Sequence, residues 1–352
     1  MSARVNRQDP IAFYLPFHGD GVTEVPAHSR DYWPWLLRNP SISKGKYSWT
    51  LQTYLQLAEA GVPCRLRTDF PSDGVVVSHR DFLPVFLRPR PNVFLVCIKP
   101  DRKRHTWSQF YVVQNSKDRL LRTGVGVDRG VAIPYWPQPG LVPRKIDRGD
   151  RCENVAYLGR SLNLAPELQA TSWSRELEAR GFNWAVKDIG EWHDYSAVDA
   201  MVAIRTLSAK DLASDPVFDP DSKPPSKLVN AWLAGVPAIV GRESAYRSVR
   251  RSDLDFIEVG STGEVIEALE RLRRDKALYQ NMVSNGIERS RSFTVEAIRA
   301  QWQQLLCTVI QRREQEWRRD GWLTRLASEL TDTVRYFSDG QNVKDAARVF
   351  FR

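Results

Sequence analysis

The chain has 352 residues, and its content of 42% hydrophobic and 26% charged residues is that of a folded protein rather than a disordered one. This length suits two domains that each bury a core of their own. The formal charge of +9 predicts an anionic partner: a nucleic acid, an anionic membrane surface or a phosphorylated small molecule. No zinc-finger, RNA-recognition or helix-turn-helix pattern accompanies the charge, so we expect no nucleic acid among the partners.

Segment lengths and cysteine spacing point to the cytoplasm. The apolar run at 11–17 is too short for a membrane span or a signal-peptide core. Four cysteines lie far apart, without a Cys-x-x-Cys pair: Cys64, Cys97, Cys152 and Cys307. They predict neither a disulfide framework nor a metal site, and the run NVFLVCI around Cys97 predicts a buried, reduced thiol.

The first part of the chain alternates short apolar runs with one helical pattern. Apolar residues recur at helical spacing over 51–58, and Gly61 and Pro63 end that helix. Strands are predicted at 11–17, 64–67, 75–78, 93–98 and 111–114. This order of elements predicts a parallel α/β sheet.

A proline-rich stretch, PYWPQPGLVP at 134–143, can be neither a helix nor a central strand. We place the domain boundary there, with one domain at 1–140 and a second at 141–310. In the second domain strands are predicted at 155–158, 184–186, 201–204, 238–240 and 256–259, with a capping box at Ser261 and Glu264 and a helix from Thr294. Residues 311–352 predict helices whose aromatic residues pack back on the first domain; a membrane surface is the alternative contact.

The stretch DSKPPSKLVNAWLAGVPAIV at 221–240 carries the strongest functional signal. Ser226 is predicted as the N-cap of a short helix that Gly235 ends. Lys227 then lies in the first turn, where its charge opposes the helix dipole unless an anion is present. Free N–H groups and a lysine together suit a phosphate, so Ser226 and Lys227 are predicted to bind one; a solvated lysine is the alternative.

A family resemblance rests on this stretch. Its pattern Lys-Leu-x-x-Ala-x-x-Ala-Gly-x-Pro is formed by Lys227, Leu228, Ala231, Ala234, Gly235 and Pro237. It resembles the donor-site motif of glycosyltransferases of the GT-B fold, and so does the order of elements over about 150–310. The resemblance implies two Rossmann-like domains facing each other across a cleft, with an N-terminal acceptor domain, a C-terminal donor domain and a terminal helical segment that crosses back. It also implies a hexosyltransferase-like enzyme that moves a sugar from a nucleotide-diphosphate donor to a hydroxyl acceptor, with Lys227 on the diphosphate.

The chain departs from that family at two positions. Many retaining members carry Glu-x7-Glu, whereas this chain has Ser222 and Asn230 there. Asn230 is retained as a polar contact to the donor sugar or ribose. Glu243 and Ser244, just after the next predicted strand, are further candidates for that contact, with ordinary surface-loop residues as the alternative.

Two arginines each follow a predicted strand of the second domain. Ligands of parallel sheets bind outside the carboxyl ends of the strands, and a guanidinium suits phosphate oxygens. We therefore predict that Arg160 and Arg205 bind the donor diphosphate. The alternative is a structural ion pair, for example with Asp199 or Glu153.

Candidate catalytic residues of the first domain are two histidines and an aspartate. An inverting transferase needs a base for the acceptor hydroxyl, whereas a retaining one can use a donor phosphate oxygen. His18 and Asp20 are the base candidates because they follow the first strand most closely. His79 ends the strand VVVS and resembles the strand-end histidine of some retaining members; a solvated or core histidine is the alternative.

We predict no metal and no cofactor apart from the nucleotide sugar as co-substrate. The Asp-x-Asp pattern at Asp219 and Asp221 lies in a proline-rich loop rather than at a strand end. We therefore interpret these two residues as ordinary loop residues and not as metal ligands. The acceptor class is a glycan, a lipid-linked molecule or a protein, and the basic charge suits a peripheral contact with the inner face of the membrane.

Two other functions are compatible with the same sequence. One is a sugar-nucleotide epimerase of the same fold, which isomerises a nucleotide sugar without an acceptor. The other is a non-catalytic protein that binds a nucleotide or nucleic acid through its basic surface, with steeply salt-dependent affinity.

Overall fold

The computed structural model describes residues 11–16, 21–22, 24–39, 44–85, 87–122, 128–208, 220–320, 327, 330–331 and 333–334. The chain divides into two compact units. The first contains the described residues of 1–113, 120–133 and 299–352, and the second contains those of 114–119 and 134–298.

The proline-rich stretch, which the sequence analysis used to close the first domain at 140, belongs to the second unit. Hydrogen bonds explain this. Val142 N donates to His193 O at 2.9 Å, and Arg144 N donates to Ala234 O at 3.0 Å. These bonds attach the segment after the prolines to the second unit before its first strand begins.

The first unit contains a six-stranded parallel sheet in the order β2-β1-β3-β4-β5-β6. Its strands are β1 (Ile11–Tyr14), β2 (Cys64–Arg67), β3 (Gly74–His79), β4 (Val93–Ile98), β5 (Phe110–Val113) and β6 (Gly130–Ala132). The five strands predicted from sequence are confirmed. The edge strand β6 was not predicted, because three residues are too few to show a periodicity.

Helices of the first unit include α1 (Tyr32–Arg38), α2 (Lys44–Tyr47) and α3 (Thr53–Glu59), with a π-helical turn at Ser48–Gln52 between the last two. The predicted helix at 51–58 is therefore present and begins earlier than expected. Gly61 has φ of 77°, a left-handed conformation in which glycine is favoured, and the helix ends there as predicted. The Cys97 thiol is buried in β4, and burial raises its pKa to about 11.

The second unit contains a five-stranded parallel sheet in the order β11-β10-β9-β7-β8. Its strands are β7 (Asn154–Leu158), β8 (Asn183–Lys187), β9 (Ala200–Ala203), β10 (Ala238–Gly241) and β11 (Ile257–Val259). Successive side chains of β7 enter different cores: Val155 and Tyr157 pack in one, Ala156 and Leu158 in the other. The central strands are therefore buried on both faces, and for this reason each appears in the sequence as a continuous run of apolar residues.

Helices after the second unit's first strand are α4 (Thr171–Ala179), α5 (Ser226–Ala234), α6 (Ser244–Arg247), α7 (Thr262–Arg274), α8 (Lys276–Ser290) and α9 (Val295–Gln304). The predicted capping box is confirmed at α7, where Ser261 Oγ accepts a hydrogen bond from Glu264 N at 3.1 Å. Trp232 of α5 packs on Gly286 of α8, where an added methyl group would lie 2.9 Å from the indole ring.

The chain continues from α9 through a π-helical turn (Leu305–Ile310) into α10 (Gln311–Arg319). In the first unit, Trp302 packs edge-on against Trp49, and Trp317 packs against Phe94 of β4 with 5.7 Å between ring centroids. The other aromatic residues that were predicted to pack there, Trp322, Tyr336 and Phe337, lie outside the described residues. Among the described helices, none is long and apolar enough to cross a membrane.

Candidate functional site

The candidate site lies at the carboxyl edge of the second sheet, where the order of the strands reverses. The first strand of this unit, β7, has β8 on one side and β9 on the other. Loops after β7 and β9 therefore leave in opposite directions, and the strand ends between such loops are the usual ligand position in sheets of this kind.

The helix α5 begins with Ser226 as its first helical residue, so the prediction of Ser226 as the N-cap was wrong by one position. Pro225 occupies the N-cap position and no side chain caps the helix. Gly235 ends α5 with φ of 69°, as predicted. The N-cap residue thus provides no side-chain acceptor for the first N–H groups of α5, which favours the binding of an anion there.

Lys227 is the second residue of α5, and its ammonium group lies over an aromatic ring instead of a carboxylate. Its Nζ is 5.4 Å from the centroid of the Tyr157 ring. In the described part of the chain it forms no ion pair. Burial, together with the charges of Arg205 and Lys223, lowers the pKa of Lys227 to about 8, although the Glu243 carboxylate opposes the shift. A bound anion would therefore stabilise the charged form of this lysine.

Arg205 follows β9 and is held by two neighbours. Its Nη1 donates to Asn163 Oδ1 at 2.9 Å, and its Nε lies 3.7 Å from Glu243 Oε2. Glu243 also accepts a hydrogen bond from Arg205 N at 3.3 Å. The buried Arg205 Nε makes no hydrogen bond within the described residues. The guanidinium is therefore held in one orientation and keeps a hydrogen-bond donor that no described residue uses, as a phosphate-binding arginine requires.

Two residues of this site were missed by the sequence analysis, Tyr157 and Gly159. Tyr157 is the next-to-last residue of β7, its ring lies under the Lys227 ammonium group, and its hydroxyl donates to Arg160 O at 2.9 Å. Gly159 has φ of 149°, and a methyl group there would lie 2.9 Å from Lys227 Cε. The available signal was a glycine placed directly between a predicted strand and an arginine, as in the sequence YLGR.

We expect Gly159→Ala to displace Lys227 and to strain the backbone, since alanine at positive φ costs roughly 1–3 kcal/mol. The affinity for a nucleoside diphosphate should fall together with the melting midpoint. Gly263→Ala in α7 is the matched control, because its nearest atom lies 3.9 Å away and φ is ordinary there. Equal diphosphate affinity in both variants, measured by calorimetry, would remove Gly159 from the site.

The other predicted residues differ in their surroundings. Arg160 is exposed, and its charge helps to lower the pKa of Asp188. Asn230 Oδ1 accepts a hydrogen bond from Gln138 N at 3.0 Å, which ties the proline-rich stretch to α5. Ser244 begins α6 and is half-buried. Arg160 and Ser244 thus follow strand ends of the same sheet edge, whereas the oxygen of Asn230 is already engaged by the backbone.

The alternative that Asp199 pairs with Arg160 or Arg205 is wrong. Asp199 precedes β9 at the amino edge of the sheet, where it pairs with Arg144 and Arg148. Arg205 follows the same strand at the opposite edge, so the length of β9 separates the two.

In the first unit, His79 ends β3 and is buried, with 3% of its surface exposed. Its Nδ1 accepts a hydrogen bond from Asp81 N at 3.0 Å, so in the neutral ring Nε2 carries the proton. Burial, more than any neighbouring charge, lowers the pKa of His79 to about 4. The ring can therefore donate a hydrogen bond near neutral pH. His18 and Asp20 lie outside the described residues.

A cavity of about 390 Å³ lies in the first unit beside β6. Its lining includes Asp128, Gln301, Gln304 and Arg313. Across the described residues there is no group of three or more His, Cys, Asp and Glu side chains that could hold a metal ion. Asp219 of the Asp-x-Asp pattern is not among those residues.

Comparisons with known proteins agree on the architecture. No protein-family model matches the chain, and no curated protein sequence matches it. Among solved structures, sucrose-phosphate synthase from Thermosynechococcus elongatus is similar with a TM-score of 0.54 and 14% identity, covering 87% of this chain and 100% of that one. Anabaena HepE in complex with UDP and glucose is similar with a TM-score of 0.50 and 11% identity, covering 86% and 100%. With two parallel sheets that match these neighbours, the chain has the GT-B fold.

Proposed function

We propose that the protein is a glycosyltransferase that moves a sugar from a nucleotide-diphosphate donor to a hydroxyl acceptor. The observation that carries the proposal is Lys227, a lysine at an uncapped helix N-terminus with no ion pair in the described chain, next to the unsaturated guanidinium of Arg205. Two cations and free N–H groups at a strand-order reversal suit a diphosphate. The fold supports this, since HepE has been captured with UDP and glucose.

Roles follow from the contacts. Arg205 and Lys227 bind the diphosphate together with the first N–H groups of α5, to which Ser226 belongs, and Arg160 adds charge at the exposed rim. Glu243 acts first by orienting Arg205, since its carboxylate accepts the Arg205 N–H and faces the guanidinium. Ser244 and the amide nitrogen of Asn230 are the proposed contacts to the sugar or ribose.

His79 is proposed as a hydrogen-bond donor to the transferred sugar rather than as a base, because its Nδ1 is occupied and burial keeps the ring neutral. His18 and Asp20 remain the proposed bases for an inverting reaction. The acceptor is a glycan, a lipid-linked molecule or a protein. We further propose that no metal is required, because the two cations and the helix N-terminus neutralise the leaving diphosphate, and that the basic charge supports a peripheral contact with the membrane.

A thermal-shift panel tests the function. The purified chain is heated with UDP-, GDP-, dTDP-, CMP- and ADP-linked sugars, first without metal and then with magnesium. A ligand at about 100 times its dissociation constant stabilises the folded state by roughly 2.7 kcal/mol, which raises the melting midpoint by several degrees. We expect one diphosphate class to respond, without a gain from magnesium. A response to nucleic acid and to no nucleotide would contradict the proposal.

The lowered pKa of Lys227 gives the pH dependence of binding. A bound diphosphate favours the charged ammonium, so affinity should be highest below a pH of about 8 and should fall as the pH rises above it, by up to about ten-fold per pH unit. Calorimetric titrations of the responding nucleotide across this range measure the decline. In Lys227→Met the decline should be absent; an equal decline in that variant would mean that another group titrates.

A further inference from the structure

A group of polar side chains with buried, unpartnered atoms lies in the first unit. We name it the Arg80 cluster. Arg80 directly follows β3, and the other members lie in the connection between β4 and β5: Arg104, His105, Thr106 and Ser108. Each member has a buried polar atom that finds no hydrogen-bond partner among the described residues: Arg80 Nε, Arg104 Nη1, His105 Nδ1, Thr106 Oγ1 and Ser108 Oγ. Buried polar atoms are normally satisfied, so this concentration requires an explanation.

Four of these residues interact directly or through Cys97, and Thr106 follows His105 in sequence. The charges of both Arg80 and Arg104 act on the His105 ring and lower its pKa, although burial is the larger cause. Tyr111 Oη donates to His105 O at 2.7 Å, which fixes the loop that carries His105. The Ser108 hydroxyl contacts the Cys97 thiol, a weak acceptor, and so has no strong partner.

The cluster has excess positive charge. In the described chain neither Arg80 nor Arg104 forms an ion pair; Arg80 Nη1 donates instead to the carbonyl of Leu83 at 2.7 Å. His105 supplies no charge, because burial lowers its pKa to about 3. Two half-buried guanidinium groups without a carboxylate are costly unless an anion accompanies them.

The histidine adds a requirement of its own. His105 Nε2 lies 3.2 Å from Pro84 O, and a carbonyl can only accept, so Nε2 carries the ring proton and Nδ1 is an acceptor. His105, Thr106 and Ser108 are each only 1% exposed. The missing ligand must therefore accept from guanidinium groups and hydroxyls, and donate one hydrogen bond to His105 Nδ1.

We propose that the Arg80 cluster binds a phosphate group that still carries one proton. Its unprotonated oxygens accept from Arg80, Arg104 and the hydroxyls of Thr106 and Ser108, while its P–OH donates to His105 Nδ1. Sulfate has no proton at neutral pH and leaves that nitrogen unsatisfied, so the cluster prefers phosphate to sulfate. The phosphate is either the free ion or the terminal group of a larger molecule; a phosphate ester loses its second proton near a pH of about 6, so the two share this chemistry at or below that pH.

The test is a titration of the full chain with inorganic phosphate at constant ionic strength. The measured response is the shift of the melting midpoint. Arg80→Gln should weaken the phosphate response about ten-fold or more, because a charge-assisted contact is lost. Thr106→Val removes one hydroxyl with little change in shape and should weaken the response even if Arg80→Gln folds poorly. Arg90→Gln removes an exposed arginine of the same unit and should leave the response unchanged.

Two further arms identify the source of the phosphate and its location. At a pH of about 6, where part of the ester keeps its proton, phenyl phosphate that acts like inorganic phosphate indicates a terminal phosphate of a larger molecule, whereas a response to inorganic phosphate alone indicates the free ion. Lys227→Met should keep the response. Loss in that variant with retention in Arg80→Gln would place the phosphate in the donor site and overturn this inference while leaving the proposed function intact. No response to phosphate, or a stronger response to sulfate, would also overturn it and leave water as the partner of these atoms.

Discussion

Lys227→Met is expected to weaken nucleoside diphosphate binding about ten- to hundred-fold while leaving nucleoside binding nearly unchanged. One charge-assisted contact is lost, worth roughly 1.5–3 kcal/mol. Methionine keeps an unbranched, apolar stem over the Tyr157 ring, so packing is largely preserved. Without ligand, the variant should melt no earlier than the wild type. The substitution removes a cation that has no ion pair in the described chain and whose pKa is lowered by burial. Calorimetry with the diphosphate and the nucleoside measures the difference.

Lys276→Met is the matched control. Lys276 also lies in the first turn of a helix of the second unit, but its Nζ donates to Asp150 O at 2.8 Å, away from the strand ends that form the site. Diphosphate affinity should be unchanged in that variant. If both substitutions weaken diphosphate and nucleoside binding equally, Lys227 is a solvated lysine and the diphosphate site lies elsewhere.

Asp199→Asn is expected to destabilise the second unit by about 3–5 kcal/mol, the cost of removing one partner from a buried ion pair. The Asp199 carboxylate is fully buried and accepts hydrogen bonds from Arg144, Arg148 and the N–H groups of Glu153 and Asn154. The amide replaces one accepting oxygen by an NH₂ donor, and this donor faces the guanidinium donors. The substitution also leaves two cations without their counter-charge. Urea unfolding followed by circular dichroism measures the loss.

The same carboxylate predicts acid sensitivity. Hydrogen bonds from Arg148 and the backbone outweigh burial and hold the pKa of Asp199 below its usual value. Its contribution to stability is therefore fully present above a pH of about 4 and is lost as the pH falls through the lowered pKa. Asp253→Asn is the control, since that side chain is fully exposed and its ion pair with Arg250 contributes little. Equal urea midpoints and acid transitions in the two variants would disprove the role of Asp199.

Local sequence patterns determined the strands and the ends of the helices. The central strands are buried on both faces and therefore appear as short apolar runs, as at β4 and β9. Gly235 could be predicted because only a residue that tolerates positive φ ends a helix in this way. Lys227 could be selected because a cation in the first turn of a helix is unfavourable by itself.

Contacts between distant residues were decided by the tertiary structure alone. Asp199 and Arg205 are close in sequence but lie at opposite ends of β9, so each has a different partner. Tyr157 and Gly159 meet Lys227 only because the order of the strands places the end of β7 beside the start of α5. Local periodicity carries no information on strand order, since order depends on how the whole sheet buries its two faces. For that reason the sequence identified the lysine and the arginines, whereas the tertiary structure determined which aromatic ring, glycine and carboxylate surround them.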